Sequence, residues 1–319
     1  MIIDSHLHVF DRNAGGAQDN FPLWPGTRWG AGEDDLLRQM DEAGIDRAFL
    51  ISYTPVDVMA HYPPDRREHM VAVFQHYLTK AHFMAVRDRH PDRFYWFADS
   101  IDPRVPGYVE RAAQDLDRGA SGLKLLPLFV DTEMGDPRWR PIFELLRAQK
   151  RPCIIDLSWW YADWPWFAPS VYRKFDSFTA YVQGLGRLLD DFPDVRVQLA
   201  HYGAPRLTDP NDVSGTIRYE RLDEVVAFMR RHPGVCCDLA AYQHLIRPDE
   251  PYPYWRALKI VEVMVPGVGA ERVHWGTDWP YLGVQPYPEL IRAIREASFL
   301  QDGEAEKMLG ENALRFVTP

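Results

Sequence analysis

Two histidines near the N-terminus have the type and spacing that most directly suggest chemistry. His6 and His8 flank Leu7 in the apolar run 2–10. Residues two positions apart on a strand point to the same side, so both imidazoles can reach one point. Neutral imidazole is the commonest protein ligand for zinc, iron and related divalent metals. The spacing predicts a metal site at the end of the first strand, although two packed histidines would show the same pattern.

Two further residues of metal-binding type end apolar runs much later in the chain. Asp278 ends the run 272–278, and His201 ends the run 195–201. If the strands close into a barrel, the first and last strands are neighbours, so Asp278 lies beside the histidine pair. Two imidazoles and a carboxylate that converge at one strand end predict a metal site. His201 taken alone could equally be a packed or helix-capping imidazole.

The elements that must position these residues follow a repeating pattern of apolar run, loop and helical segment. The runs are rich in Val, Ile, Leu and Phe without clean alternation, as expected for parallel strands buried on both faces. They lie at 2–10, 46–54, 93–99, 120–128, 152–158, 195–201, 234–240 and 272–278. Helical patterns at 34–44, 142–149, 222–231 and 305–316 separate or follow them.

The repeat predicts an α/β fold of the (β/α)8 TIM-barrel type. The 319 residues give about 40 residues for each strand-and-helix unit, which suits a barrel with long strand-to-helix loops. A doubly wound open sheet would carry fewer units and often a Gly-x-Gly-x-x-Gly turn, which is absent here. No linker divides the chain, so we expect one domain over residues 1–319.

Composition narrows the classes of partner. The chain has 46 Asp and Glu against 36 Lys and Arg, a formal charge of -10, which counts against nucleic acid or an anionic membrane as main partner. A small anionic substrate is not excluded, because it meets only its local pocket. Cys153, Cys236 and Cys237 are too few for a disulfide framework and suggest buried thiols. With no long apolar span and no secretory signal visible, a cytoplasmic protein is expected.

Aromatic residues concentrate in the predicted strand-to-helix loops. In a TIM barrel these loops gather at the C-terminal mouth, where active sites lie. They predict a pocket for an apolar or aromatic small molecule, and packing of the loops on one another is compatible with that. A homodimer is left open by the sequence. The residues expected to contact substrate are Trp24, Trp159, Trp160, Tyr202 and Trp279.

Short motifs along nearly the whole chain resemble the amidohydrolase superfamily. The resemblance is to the amidohydrolase-2 type, the group that includes aminocarboxymuconate-semialdehyde decarboxylase and related metal-dependent hydrolases. Each motif is modest alone, but they occur in the family's order from residue 1 to about 317. They are Ile3-Asp-Ser-His-Leu-His8, His90-Pro-Asp-Arg-Phe94, Gly122-Leu-Lys-Leu125, Phe192-Pro-Asp-Val195, Leu199-Ala-His-Tyr-Gly203, Arg272-Val-His-Trp-Gly-Thr-Asp-Trp-Pro280 and Gly310-Glu-Asn-Ala-Leu-Arg315.

The resemblance implies a distorted (β/α)8 barrel with one or two divalent metal ions (zinc, iron or manganese) at its mouth. His6 and His8 match the family's first-strand ligands, and Asp278 matches its eighth-strand carboxylate. His201 matches a sixth-strand histidine that either binds metal or polarises the substrate.

Two further positions, Asp156 and Lys124, each have two alternative roles. Family members usually place a metal-binding histidine on the fifth strand, where this chain has Asp156. Asp156 is either an oxygen ligand, which would favour iron or manganese over zinc, or a loop carboxylate. Lys124 lies in the fourth run, in a Gly-x-Lys context. In two-metal members of the superfamily a fourth-strand lysine is carboxylated and bridges the ions. Lys124 could serve so, or remain an unmodified lysine paired with substrate or a carboxylate.

Three reaction types are compatible with this set. The leading hypothesis is hydrolysis of an ester, lactone, thioester or amide by metal-activated water, with Asp278 moving the proton and His201 or Lys124 stabilising the oxyanion. The second is non-oxidative decarboxylation, with Asp278 protonating carbon. The third, which rests on Asp156, is oxygen activation by non-haem iron. The sequence does not name the substrate.

Overall fold

Eight short parallel strands form the centre of the molecule. The computed structural model describes residues 1–9, 32–52, 80–99, 101–157, 171–203, 222–240, 242, 246, 250–280 and 287–318. Within these residues the strands pair in sequence order, each parallel to the next. They are β1 Ile3–Leu7, β2 Arg47–Ile51, β3 Phe94–Ala98, β4 Gly122–Leu125, β5 Cys153–Ile155, β6 Val197–Leu199, β7 Val235–Asp238 and β8 Val273–His274.

The sheet closes between its first and last strands. The backbone N–H of Ser5 donates to the carbonyl of Trp275 at 2.9 Å, and the N–H of Asp278 donates to the carbonyl of His6 at 2.7 Å. A parallel bridge joins Leu7 to Trp279 beyond the end of β8. The predicted TIM barrel is therefore confirmed, and the chain after β8 runs beside β1, as expected for a closed barrel.

Helices cover the outside of the barrel. They are α1 Glu33–Ala43, α2 Lys80–Arg89, α3 Tyr108–Asp117, α4 Arg140–Gln149, α5 Phe178–Asp191, α6 Leu222–Arg231, α7 Trp255–Val268, α8 Tyr287–Arg295, α9 Glu304–Glu306 and α10 Asn312–Val317. Three of the predicted helical patterns coincide with α1, α4 and α6. Gly44 ends α1 at a φ of 68°, a left-handed conformation that glycine adopts without strain.

The last predicted helix differs from the single helix expected over 305–316. A π-helical turn, Lys307–Glu311, separates α9 from α10. The carbonyl of Met308 accepts the backbone N–H of Trp275 at 2.9 Å, so it serves the end of β8. The Asn312 amide donates to the carbonyls of Ala270 and Val273 at 2.8 and 2.9 Å. These contacts hold the segment against β8, and a wide turn in the helix accompanies them.

The interior of the barrel changes from apolar to polar along the strands. Its floor contains the Phe49 and Phe97 rings, whose centroids lie 6.1 and 6.3 Å from Phe316 of α10. Register places Lys124 beside Ile154, and Ile154 beside Gln198, so these side chains face the same interior. Polar groups therefore collect above an apolar floor, toward the carboxyl ends of the strands.

Two further expectations concern burial and membranes. The three cysteines are buried, with no disulfide between them. No helix in the described part of the chain is long and apolar enough to cross a membrane.

Candidate metal-binding active site

The orientation of His8 is fixed by a backbone carbonyl. Its Nδ1 lies 2.9 Å from the carbonyl oxygen of Ile51 at the end of β2. A carbonyl can only accept, so Nδ1 carries the proton and Nε2 is the ring atom with the available lone pair. That Nε2 lies 3.3 Å from Oδ1 of Asp278.

The orientation of His6 is fixed by a buried carboxylate. His6 Nδ1 lies 2.9 Å from Oδ2 of Asp238 at the end of β7. Asp238 also accepts hydrogen bonds from the backbone N–H groups of His201 and Ala240, at 2.7 and 3.0 Å, and from the Gln198 amide at 2.6 Å. Because these other partners are all donors, Asp238 acts as an acceptor and His6 Nδ1 carries the proton.

The Nε2 atoms of His6 and His8 and the carboxylate of Asp278 therefore all present lone pairs to one place, with no proton on the atoms that face one another. One candidate ligand atom from each of His6, His8 and Asp278 lies within 4.8 Å of the others. Burial, together with the positive charges of Lys124 and His201, holds the pKa of His6 well below its usual value. Neutral imidazoles beside a carboxylate match the donor set of divalent zinc, iron or manganese. The residues present fit a metal ion at this point.

The Asp278 carboxylate stays ionised at this site. Burial raises its pKa, but the adjacent His8 ring and the nearby charge of His201 outweigh burial, and the net pKa lies below the usual value. An ionised carboxylate can bind a cation and accept a proton from a neighbouring molecule.

A second polar cluster adjoins the first and is built from Lys124, Asp156 and His201. Oδ2 of Asp156 lies 3.7 Å from His201 Nε2 and 3.9 Å from Lys124 Nζ. The His201 ring centroid is 4.7 Å from that of His6, so the two clusters touch. Burial disfavours the charged form of His201, but the hydrogen bond and charge of Asp156 outweigh it and raise the pKa of His201 to about 9.

Lys124 is the most deeply buried cation of this cluster. Its side chain is 1% exposed, and Nζ has no hydrogen-bond partner among the described residues. A buried ammonium carries three donors, and leaving them unsatisfied costs free energy. Apart from Asp156 at 3.9 Å, the Nζ group therefore has no acceptor near it among the described residues.

Two of the strand ends that carry the site have a strained backbone. His201, Tyr202 and Asp278 have φ values of 53°, 46° and 55°. Residues other than glycine rarely adopt this region, and such conformations persist only when the surroundings fix them. The His201 N–H is held by Asp238, and its Nδ1 lies 3.2 Å from the carbonyl of Ala240.

Asp4 ties the first strand to the segment that carries Asp278. Its carboxylate accepts the N–H of His6 at 3.0 Å, the N–H of Thr277 at 3.0 Å and the Thr277 hydroxyl at 2.5 Å. Burial raises the pKa of Asp4 to about 7, against the effect of these hydrogen bonds. A Cβ at Gly276 would lie 3.1 Å from His6 Cβ, so the close approach of the two segments favours glycine there.

The structure brings several of the sequence-predicted residues together. His6, His8 and Asp278 form one cluster, with His201 beside it. Asp156 pairs with Lys124 and His201 rather than joining the cluster of His6, His8 and Asp278, so its role as a metal ligand stays a prediction.

The predicted substrate-binding residues divide into two groups. Tyr202 and Trp279 directly follow His201 and Asp278 and are 3% and 1% exposed. Trp24, Trp159 and Trp160 lie outside the described residues. Contact of these residues with substrate stays a prediction.

Sequence reasoning missed the residues that orient the candidate ligands. Asp238, Gln198, His274 and Asp4 were not singled out, although each is buried at 2% exposure or less. A signal was present: Asp238 is a carboxylate near the end of the apolar run 234–240, a place comparable to those of His201 and Asp278 in their runs. Polar residues within otherwise apolar runs were the sequence feature that indicated these orienting residues.

A parallel barrel with imidazoles and carboxylates at the carboxyl ends of its strands defines a class of metal-dependent barrel enzymes. The amidohydrolase family model matches residues 3–318, so the chain belongs to the amidohydrolase family. The protein is thus an enzyme of the amidohydrolase superfamily, as the motifs indicated, and that family is metal-dependent.

Solved structures of the same fold carry different activities in their names. An amidohydrolase from Burkholderia multivorans with bound zinc aligns at a TM-score of 0.65 and 17% identity, over 99% of each chain. A probable 2-pyrone-4,6-dicarboxylic acid hydrolase from Acinetobacter baumannii with citric acid bound aligns at 0.62 and 15%, over 99% of this chain and 98% of that one. A 2,6-dihydroxybenzoate decarboxylase with 2,6-dihydroxybenzoate aligns at 0.62 and 17%, over 99% and 98%.

At these identities the likeness shows the fold alone. No curated protein sequence matches this chain. The reaction must therefore be argued from the residues of the site.

Proposed function

We propose that this protein is a metal-dependent hydrolase acting on an ester, lactone, thioester or amide of a small apolar or aromatic molecule. The observation that carries the proposal is the convergence of His6 Nε2 and His8 Nε2 on one oxygen of Asp278, at 3.7 and 3.3 Å. Membership of the amidohydrolase family supports it.

The metal would be held by His6, His8 and Asp278, with Asp156 and His201 as further candidate ligands. A divalent ion there would polarise a carbonyl group and lower the pKa of a bound water toward about 7. The site would take one ion or two. A second ion would require carboxylation of Lys124, which would then no longer supply charged donors to the substrate.

Proton movement falls to Asp278 in this proposal. Its ionised carboxylate accepts a proton from the attacking water at Oδ1 or Oδ2 and returns it to the leaving group. The low pKa suits the first of these steps, because the carboxylate is free of a proton before substrate binds.

The second cluster, Lys124, Asp156 and His201, would stabilise the negative charge that develops on the substrate. Lys124 Nζ offers buried N–H donors that lack a hydrogen-bond partner among the described residues, and His201 offers a protonated ring. Fixed donors in a site with little water stabilise an oxyanion strongly. The substrate body would rest on Tyr202 and Trp279, together with Trp24, Trp159 and Trp160.

A second candidate function is non-oxidative decarboxylation. The observation that favours it is the same pair of buried cations, Lys124 and His201, which would also hold a substrate carboxylate. Asp278 is ionised in the free site, so it would have to take up a proton from solvent as substrate binds and then give it to carbon as carbon dioxide leaves.

One experiment separates these functions. The metal-loaded protein is incubated, with and without dissolved oxygen, with a panel of aromatic lactones, esters and carboxylic acids in water enriched in heavy oxygen. Hydrolysis places heavy oxygen in the product acid without release of carbon dioxide. Carbon dioxide release without solvent oxygen in the remaining product indicates decarboxylation instead. Turnover that requires dissolved oxygen would replace both with iron-dependent oxygenation.

The role of Asp156 is tested by Asp156→His. If Asp156 is a ligand, exchanging its oxygen for an imidazole nitrogen shifts metal preference toward zinc, away from iron and manganese. Elemental analysis of wild type and variant, each purified after growth with equal amounts of the three metals, measures the shift. Identical metal content in the two proteins would place Asp156 outside the metal coordination.

A further inference from the structure

A continuous hydrogen-bonded chain of side chains crosses the barrel interior and ends on His6. His274 Nδ1 lies 2.7 Å from Oε1 of Gln198, and Gln198 Nε2 lies 2.6 Å from Oδ2 of Asp238. The same Asp238 oxygen lies 2.9 Å from His6 Nδ1. All four side chains are buried, so water does not compete for these contacts. His274 and Gln198 contribute no atom to the candidate metal cluster.

The direction of every hydrogen bond in the chain is determined by its partners. The Gln198 amide nitrogen donates both to Asp238 and to the Ser5 carbonyl, at 2.6 and 3.2 Å, and each of these is an acceptor. The Gln198 oxygen must therefore face His274 and accept from its Nδ1. Burial lowers the pKa of His274 to about 4, so the ring is neutral and carries its single proton on Nδ1.

We propose that Gln198 and His274 are positioning residues that hold His6 in the tautomer with its proton on Nδ1 and its Nε2 lone pair directed at Asp278. His274 orients the Gln198 amide. Gln198 then keeps a donor on the Asp238 oxygen that receives the His6 proton. The inference goes beyond the proposed function, because it holds whichever reaction the site performs.

If His274 served only in packing, it would tolerate different substitutions from those expected of a positioning residue. The His274 ring packs edge-to-face on Phe316, with centroids 5.5 Å apart. If packing is its only role, an aromatic replacement preserves it and a small polar residue does not. If orientation is its role, a replacement must keep an N–H donor facing Gln198. The two roles therefore rank the same pair of variants in opposite order.

The first test uses Gln198→Met, which keeps length and removes both polar atoms. In metal-free protein labelled at histidine nitrogen, long-range proton–nitrogen NMR reports which ring nitrogen of each histidine is protonated. We expect the population of the His6 tautomer with its proton on Nδ1 to fall in the variant, because Asp238 Oδ2 loses the donor that Gln198 supplies. His8, held by the backbone carbonyl of Ile51, should keep its own tautomer. His8 is thus an internal control. An unchanged His6 signal would overturn the proposal.

The second test compares His274→Asn with His274→Phe. Affinity for zinc alone is measured by competition with a chelator, and the urea midpoint of each variant records stability. Loss of a hydrogen bond made directly to a metal-binding histidine lowers metal affinity by about 10–100-fold. His274 acts on His6 through Gln198 and Asp238, so a loss at the lower end of that range is expected. We expect that loss in His274→Phe and a smaller one in His274→Asn, irrespective of which variant is less stable. Equal affinities, or weaker binding by His274→Asn than by His274→Phe, would show that the ring acts by packing and overturn the proposal.

Discussion

Asp278→Asn is expected to lower kcat/KM by about 10²–10⁴-fold while the barrel stays folded. The side-chain amide cannot accept the proton that the carboxylate takes. It also presents a neutral group to His6 and His8, where the carboxylate oxygen lies 3.7 and 3.3 Å from their Nε2 atoms. Asparagine tolerates the φ of 55° at this position, so the backbone has no reason to change. Loss of the carboxylate charge should also lower the metal content. Steady-state kinetics, elemental analysis and a thermal melt measure turnover, bound metal and folding respectively.

A matched control is Asp92→Asn, the same chemical change at an exposed carboxylate before β3. It should leave kcat/KM, metal content and the melting temperature at their wild-type values. If Asp278→Asn also kept full activity and metal content, the assignment of Asp278 to the site would be wrong. His6→Ala should lose bound metal in the same way, because it removes another of the three converging donors.

Asp4→Ala is expected to lower the free energy of unfolding by about 3–5 kcal/mol, since unsatisfied buried donors cost ~1–3 kcal/mol each. The substitution removes the acceptor that Asp4 supplies to the N–H of His6 and to the N–H and hydroxyl of Thr277. All three residues are buried. Urea denaturation with a constant m-value would measure the loss.

Asp4→Asn is the control for this stability effect. Its carbonyl oxygen can keep both backbone N–H groups, and its amide can donate to the Thr277 hydroxyl, so a loss of about 1 kcal/mol is expected. Equal losses in the Ala and Asn variants would show that the hydrogen bonds of Asp4 do not hold β1 to the segment around Thr277.

The strands were predictable because barrel strands are buried on both faces and read as unbroken apolar runs. The first and last residues of the strands were less predictable. The run 120–128 contains β4, which pairs only over Gly122–Leu125. Leu126 and Leu128 extend the run because they are buried in the hydrophobic core after the strand ends. Apolar patterning records burial, whereas strand bounds depend on which backbone groups find a partner.

The site shows a similar division. His6, His8 and Asp278 could be found because their residue types announce metal binding and barrel closure brings the first and last strands together. The grouping of Asp156 with Lys124 and His201 depends on side-chain directions at three separate strand ends. The proton positions on the histidines depend on Asp238 and on the Ile51 carbonyl, and nothing in the local sequence around His6 or His8 identifies those partners.

His6 and His8 are oriented by different kinds of hydrogen-bond acceptor, and this difference affects how the active site can evolve. His8 is anchored by a main-chain oxygen, which every residue type at position 51 supplies, so mutation there leaves the anchor in place. His6 is anchored by the Asp238 side chain, which a single codon change removes or alters. Under selection for a different metal or reaction, substitution of Asp238 can change the hydrogen bond that orients His6, whereas substitution at position 51 cannot change the one that orients His8. Adaptive substitutions should therefore accumulate on the side of the barrel that supports His6.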